Sequence, residues 1–265
     1  MSSFYRIIKK LEEYWQRQGC KILLPYTSEL GAGTLHPGTI FASVEKRDSA
    51  LAYVQPVIRP ADGRYGKNPN RLYQHHQYQV LIKPSPENLQ DLYLKSLEHI
   101  GIKIFEHDIR FVEDNWENPS VGAWGLGWEV WCDGMEISQF TYMQQVGGIP
   151  LDSIPGELAY GIERIAMYTQ DISNVYDIKF DDSGTLYGDV FKKFEEQFSY
   201  AVLDHHKSEI LFEQFKAHIE LAERFLKNSI PLAAYDQCTK ASHTTNSYFI
   251  IFFFCIAGAT PKRCS

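Results

Sequence analysis

Apolar residues near the amino end recur at helical spacing. Phe4, Ile7, Ile8, Leu11, Tyr14 and Trp15 fall on one stripe, and Gly19 stops the pattern. The following "CKILLPY" reads as a short apolar strand ended by Pro25. A second helix is predicted after "KPSPEN". Ser85 suits its cap and Pro86 its first turn, and Leu89, Leu92, Tyr93, Leu97 and Ile100 form the buried stripe before Gly101. Between these helices, residues 50–85 read as two strands joined by a long polar loop over residues 59–71.

A period of two returns between Ile109 and Met143. There "WCDGME" carries Asp133-Gly134, a strong short-range hairpin signal. A two-residue turn pairs Cys132 with Met135, Trp131 with Glu136, Val130 with Ile137 and Glu129 with Ser138. The pleat then sets Val130, Cys132, Met135 and Ile137 on a core face. Glu129, Trp131, Glu136 and Ser138 share an acidic, aromatic face. Upstream, "WGLGWEVW" holds Trp124, Trp128 and Trp131, three of the chain's five tryptophans, interleaved with Gly125 and Gly127. After Gly161, "IERIAMYTQ" turns helical. Residues 189–229 are charged and helix-periodic, with Phe191, Phe194, Phe198, Leu211, Phe212, Phe215, Ile219 and Leu226 predicted as buried. Antiparallel strands with flanking helices predict an α+β fold rather than a doubly wound sheet.

With 265 residues the chain has room for one large domain, or one domain and a helical appendage. A net charge of −7 excludes any broad electrostatic attraction to nucleic acid. Five cysteines (Cys20, Cys132, Cys238, Cys255 and Cys264) show no CxxC spacing, and the amino end opens directly into an amphipathic helix. Reduced thiols and no leader are therefore expected, which points to the cytoplasm. The apolar run over residues 248–259 is too short for a membrane-spanning helix.

Three groups can carry chemistry. In the 59–71 loop, Arg59, Arg64, Lys67 and Arg71 stand against Asp62 alone, a local charge of +3. Guanidinium forks suit a polyphosphate, and long structureless loops are usually functional; a solvated surface loop is the alternative. Arg164 lies in the first turns of a helix, a poor place for a cation unless it shares an anion with the helix terminus. A structural salt bridge to Glu163 or Glu157 is its alternative. Glu113, Asp114, Glu117, Glu129, Glu136, Gln139, Gln144, Gln145 and Glu157 surround the hairpin and can hold a metal ion or an ammonium group, or pair with the loop arginines. "GAGT" at 31–34 lacks the rest of a P-loop and reads as a turn. His75-His76 and His205-His206 lack metal-site spacing.

Taken in order, "EYWQRQGCKILLPY", "GAGTLHP", "AYVQPVIRPADGRYGKNPNR", "HQYQVLIKPSPENLQDLYLKSL", "HDIRFVEDNWENPSVGAWGLGWEVW", "DGMEISQFTYMQQVGG" and "YGIERIAMY" resemble class II aminoacyl-tRNA synthetases. More narrowly, they resemble the α subunit of the bacterial heterotetrameric glycyl-tRNA synthetase, over roughly residues 4–244. The resemblance implies a class II antiparallel sheet flanked by helices in residues 1–185, and an incomplete C-terminal helical region in 186–244. ATP as substrate with Mg2+, a β subunit in an α2β2 assembly, an α–α homodimer, and tRNA(Gly) held mainly by β follow from it. Arg59 is implied as the catalytic cation at the ATP α-phosphate and Arg164 as that at the γ-phosphate. Arg64 and Arg71 are implied as further ATP contacts and Glu136 as the magnesium ligand. Gln77, Trp116, Glu129 and Glu157 are implied around glycine, with Glu157 taking its ammonium group.

A glycine site must exclude larger side chains by bulk, because an absent side chain offers nothing to attract. Trp116 fits that need. Trp124, Trp128 and Trp131 are either further walls or plain core, and Gly125 and Gly127 are read as letting backbone approach the nucleotide. Two departures stand out: Ile58 stands where the family usually shows another arginine or similar polar residue, and residues 245–265 read as the product of a shifted reading frame, with an aggregation-prone Ile/Phe run. A non-catalytic scaffold and an adenylating enzyme with another acceptor are the rival functions.

Overall fold

The apolar stripe of the first helix decides the layering. In the computed structural model, which describes residues 2–205 and 207–256, Phe4, Ile7, Ile8, Leu11, Tyr14 and Trp15 are all buried against the sheet. The chain runs α1 (Phe4–Arg17), β1 (Lys21–Ile22), α2 (Pro37–Val44), β2 (Ser49–Ile58), β3 (Gln74–Lys83), α3 (Leu89–Ile100), β4 (Ile109–Glu113) and β5 (Trp116–Asn118). It continues through β6 (Ala123–Cys132), β7 (Met135–Val146), β8 (Ile149–Pro150), β9 (Gly156–Gly161), α4 (Ile162–Gln170), α5 (Tyr187–Tyr200), α6 (Ser208–Lys227) and α7 (Pro231–Ile256).

The strands form one nine-stranded sheet in the order β1-β2-β3-β9-β7-β6-β4, with β5 beside β6 and β8 beside β7. Every pairing is antiparallel except β1 with β2. This is the expected α+β arrangement of an antiparallel sheet flanked by helices. Helices α1, α3 and α4 cover one face, where Trp15, Tyr78, Tyr93, Val130, Phe140, Leu158, Tyr160 and Ile165 share the main core. On the opposite face, α2 and α7 cover Met143 and Val146 through Ile40 and Tyr235, leaving the middle of the sheet open.

Several expectations need correction. The strand predicted over "CKILLPY" shrinks to Lys21–Ile22, and Leu24 is exposed beyond it. Helix α3 starts at Leu89 after Asn88 rather than from a Ser85 cap. Ser85 instead donates its backbone N–H to Ile154. The 133–134 turn forms with Cys132 opposite Met135 and Trp131 opposite Glu136, but the register then shifts. Val130 faces Ser138 and Glu129 faces Gln139, so Ile137 is an extra residue in β7. Ser138 therefore moves to the core face, opposite Tyr160.

In the helical region Leu211 is buried, and Phe191, Phe194 and Phe215 are half-buried, whereas Phe198, Phe212, Ile219 and Leu226 are exposed. Residue 206, residues 257–265 and the side chains of 248–256 lie outside the described residues, and with them the predicted Ile/Phe run. Among the described residues, no helix is long and apolar enough to cross a membrane.

The tryptophan–glycine stretch resolves into separate jobs. Trp128 packs half-buried against Phe140 and Tyr142 on the core face. Trp124 is 42% exposed. A side chain at Gly125 would sit 2.6 Å from both the Thr141 methyl and the Tyr142 carbonyl. One at Gly127 would meet the Asp114 carbonyl at 2.6 Å. These glycines admit neighbouring strands rather than a nucleotide. Gly125→Ala is therefore expected to destabilise the fold by about 2 kcal/mol, read as a lower midpoint in urea unfolding.

Candidate active site

The long loop between β2 and β3 delivers its cations to the open middle of the sheet. Its base is closed by the Arg59 N–H donating to the Tyr73 carbonyl at 2.8 Å, and a 3-10 turn at Pro60–Asp62 follows. Arg59 Nε donates to the Gly31 carbonyl at 3.1 Å, while Arg71 pairs with Asp62 at 2.9 Å. From the other side, Arg164 in the first turn of α4 donates to the Glu136 carbonyl at 2.8 Å and to its carboxylate at 2.9 Å. Neither Glu163 nor Glu157 is its partner.

Arg59, Asp62, Arg71, Glu136 and Arg164 all line one cavity of about 350 Å³. Surrounding protein pulls the Arg59 pKa below its usual value, against the opposing pull of Asp62 and Glu136. Arg59 as a residue is exposed and a guanidinium keeps its proton, so the group remains charged.

A second group of side chains lines the same cavity from β3, β9 and the 31–36 segment. Glu157 is only 3% exposed, and Gln79 Nε2 donates to its carboxylate. Burial pushes its pKa up to about 7, against hydrogen bonds from Thr34 and Gln79. Gln77 accepts the Gly33 N–H at 2.7 Å and thereby seats the 31–34 turn over the sheet. Trp116 forms another wall, and Glu129 accepts from Trp131 Nε1 at 2.9 Å.

The cavity thus collects Arg59, Arg71, Gln77, Trp116, Glu129, Glu136, Glu157 and Arg164. It does not include Arg64, whose guanidinium donates to the Ala61 and Gly63 carbonyls of its own loop. Trp124, Trp128 and Trp131 do not line it either. Of the other acids and amides around the hairpin, Gln139 reaches it, while Glu113, Asp114 and Glu117 are exposed on the β4–β5 edge.

Several lining residues were not singled out from the sequence. Thr34 belongs to a stretch read as a turn, and its contact with Gln79 spans 45 positions. His75 lines the cavity as a neutral imidazole, its pKa lowered to about 4 by burial and then by Arg59. Glu163 accepts from the His76 N–H, from His76 Nδ1 and from Tyr187 Oη. Burial is the largest influence and would raise its pKa, but His76, His75 and a backbone N–H together outweigh burial and hold it low.

Glu136 belongs to no group of three clustered metal-ligand side chains. Among the described residues that arrangement occurs only at His107, Cys132 and Asp133, outside the cavity. One carboxylate with a free oxygen, beside Glu129, fits Mg2+, which usually takes one or two carboxylates, several waters and substrate phosphates.

A family model described as "Glycyl-tRNA synthetase alpha subunit" matches residues 4–248. Two solved structures of pyrrolysyl-tRNA synthetase from Desulfitobacterium hafniense are also similar. One is 13% identical with a TM-score of 0.47, and the other is 14% identical with a TM-score of 0.46. Each alignment covers 71% of this chain and 77% of the other.

The Glu157 pKa has a consequence for stability. Because the folded value of about 7 lies above the ordinary 4.5, the folded state holds this proton longer than the unfolded chain. Stability from this group is then full below pH 4.5, falls as pH rises to 7, and is level beyond. Glu157→Gln is expected to remove that decline, up to about 3 kcal/mol, in denaturant unfolding measured across pH 4–8.

Proposed function

The chain belongs to the glycyl-tRNA synthetase alpha subunit family, and from that premise we propose that it activates glycine with ATP and transfers it to tRNA(Gly). The family is one of aminoacyl-tRNA synthetases, which are ligases. The observation that carries the reading is the single cavity in which Arg59, Arg71 and Arg164 stand together with a buried carboxyl group at Glu157. Polyphosphate needs the first kind of group, and an amino-acid ammonium needs the second.

In this reading Arg59 faces the α-phosphate and Arg164 the γ-phosphate, with Arg71 as a further cation. Glycine lies with its ammonium on Glu157, near Gln77 and Glu129, and its missing side chain is matched by Trp116. A glycine carboxylate oxygen attacks the α-phosphorus, the new O–P bond forms, and the bond to pyrophosphate breaks. Positioning and neutralisation of developing phosphate charge suffice, with no covalent enzyme intermediate. Glu136 and Glu129 would hold magnesium brought with ATP, which would supply positive charge to the phosphates. The terminal adenosine hydroxyl of tRNA then attacks the glycyl carbonyl and releases AMP.

An alpha subunit implies a partner subunit. We assign that partner as a β chain in an α2β2 assembly built on an α–α dimer, with β holding most of the tRNA. The net charge of −7 and the exposed Phe198, Phe212, Ile219 and Leu226 on the C-terminal helices support that division. Residues 1–185 would then be the catalytic unit and 186–244 the helical unit.

Glycine-dependent ATP–pyrophosphate exchange on the full chain, with and without a β subunit, tests the reading. Arg59→Ala or Arg164→Ala is expected to lower exchange by about 100-fold or more. Folded, dimeric protein with no exchange under either condition would leave the scaffold reading in its place. Specificity gives a separate expectation. Trp116→Ala should open the side-chain space, so that exchange with alanine or serine rises at least about tenfold relative to glycine.

A further inference from the structure

The cation-bearing loop does not stand on the sheet alone. Glu195 of α5 is buried, and its carboxyl group reaches both limbs of the 59–73 loop. One oxygen accepts the Arg64 N–H at 2.8 Å and also Ser199 Oγ at 2.9 Å. The other accepts the Tyr73 N–H at 2.5 Å. Loop and helix approach so closely that side chains are excluded between them. A Cβ at Gly63 would come within 2.8 Å of Ser199 Oγ, and one at Gly66 within 2.9 Å of Glu196 Cγ. Tyr73 also lies against Phe194 and Phe198, at ring separations of 6.1 and 5.5 Å.

We propose that Glu195 is a positioning residue: it clamps the two limbs of the loop and thereby sets Arg59, Asp62 and Arg71 on the cavity. Its hydrogen-bond partners Arg64, Tyr73 and Ser199 are not among the residues that line the cavity, so the carboxyl group acts on the cations through the loop backbone. An unclamped Tyr73 N–H would be buried without a partner, and the half-buried Arg64 N–H would lose its acceptor, so the loop would have to shift outward to hydrate them. The helical region is thus mechanically joined to the polyphosphate end of the cavity. The Glu157 end is built from β3, β9 and the 31–34 turn, which the loop meets through Arg59 Nε on the Gly31 carbonyl, so loosening the clamp acts first on the cations and only through that bond on the glycine end. The inference rests on the proposed function for its ligand, and on the hydrogen bonds alone for its mechanics.

The test compares the full chain with Glu195→Ala and with Glu195→Gln, whose amide oxygen can still accept one of the two N–H groups. Hydrogen exchange over residues 59–73 and steady-state ATP–pyrophosphate exchange are both measured. Glu195→Ala should speed exchange across the loop and raise the KM for ATP roughly tenfold, with the KM for glycine within about twofold of wild type. Glu195→Gln should fall between the two, which guards against an alanine variant that fails to fold.

A faster-exchanging loop with an unchanged KM for ATP would overturn the proposal. So would a loop that exchanges as in wild type, or a KM for glycine that rises in step with that for ATP. Wild-type chain with no ATP-dependent activity would count against the proposed function instead. The hydrogen-exchange comparison would then decide the clamp by itself.

Discussion

One extra residue in β7 decides which side chains meet in the cavity. A strand presents alternate residues to alternate faces, so an inserted residue moves everything beyond it to the other side. Before Ile137, Glu136 faces the cavity with Trp131 opposite it. Without the insertion Ser138 and Phe140 would follow Glu136 there. With it, Ser138 and Phe140 turn to the core, and Gln139 and Thr141 line the cavity with Glu129 and Glu157 as their cross-strand neighbours. The same step lets Glu136 present both its carbonyl and its carboxylate to Arg164. Acid, amide and arginine converge because the register is broken at that point.

Three buried glutamates in and around this cavity are treated differently, and the difference separates scaffold from site. Glu163 and Glu195 are each saturated by donors from the protein: backbone N–H groups, a histidine ring and hydroxyls. They tie β3 to α4 and α5 to the 59–73 loop. Among the described residues Glu157 receives only the Gln79 and Thr34 side chains, and burial raises its pKa against those two hydrogen bonds. A buried acid short of one positive partner favours a guest that brings one. In the proposed function that guest is the ammonium group of glycine.

Much of this was legible in the sequence because its signals are local. The α1 stripe, the 133–134 turn, the two strands around the long loop and the helix carrying Arg164 each rest on residues a few positions apart. Seven of the motif-derived site residues other than Arg164 also reach the cavity: Gln77, Trp116, Glu129, Glu136 and Glu157 on strands, and Arg59 and Arg71 on the loop between β2 and β3. What failed to show depends on distance. Arg64 turns back on its own loop because Glu195, more than a hundred positions away, holds its backbone N–H. Thr34 and Gln79 stand 45 positions apart and meet only once the 31–34 turn lies over β3. The insertion at Ile137 has no composition signal at all, since "GMEISQF" alternates well enough in either register.

The C-terminal helices expose a different limit of pattern reading. Periodicity correctly gives helices with an apolar face, but it carries no information about what covers that face. Leu211 is buried, whereas Phe212, Ile219 and Leu226 on the same helix remain exposed. Helix α5 spends its buried positions differently, placing Glu195 and Ser199 against the polar loop rather than an apolar neighbour. An amphipathic count scores such a glutamate as a solvent position. Its burial becomes intelligible only when the two backbone N–H groups it serves are in view. The apparent irregularity of α5 is thus the trace of its contact with the cation loop, and it is where the helical region gains leverage over the cavity.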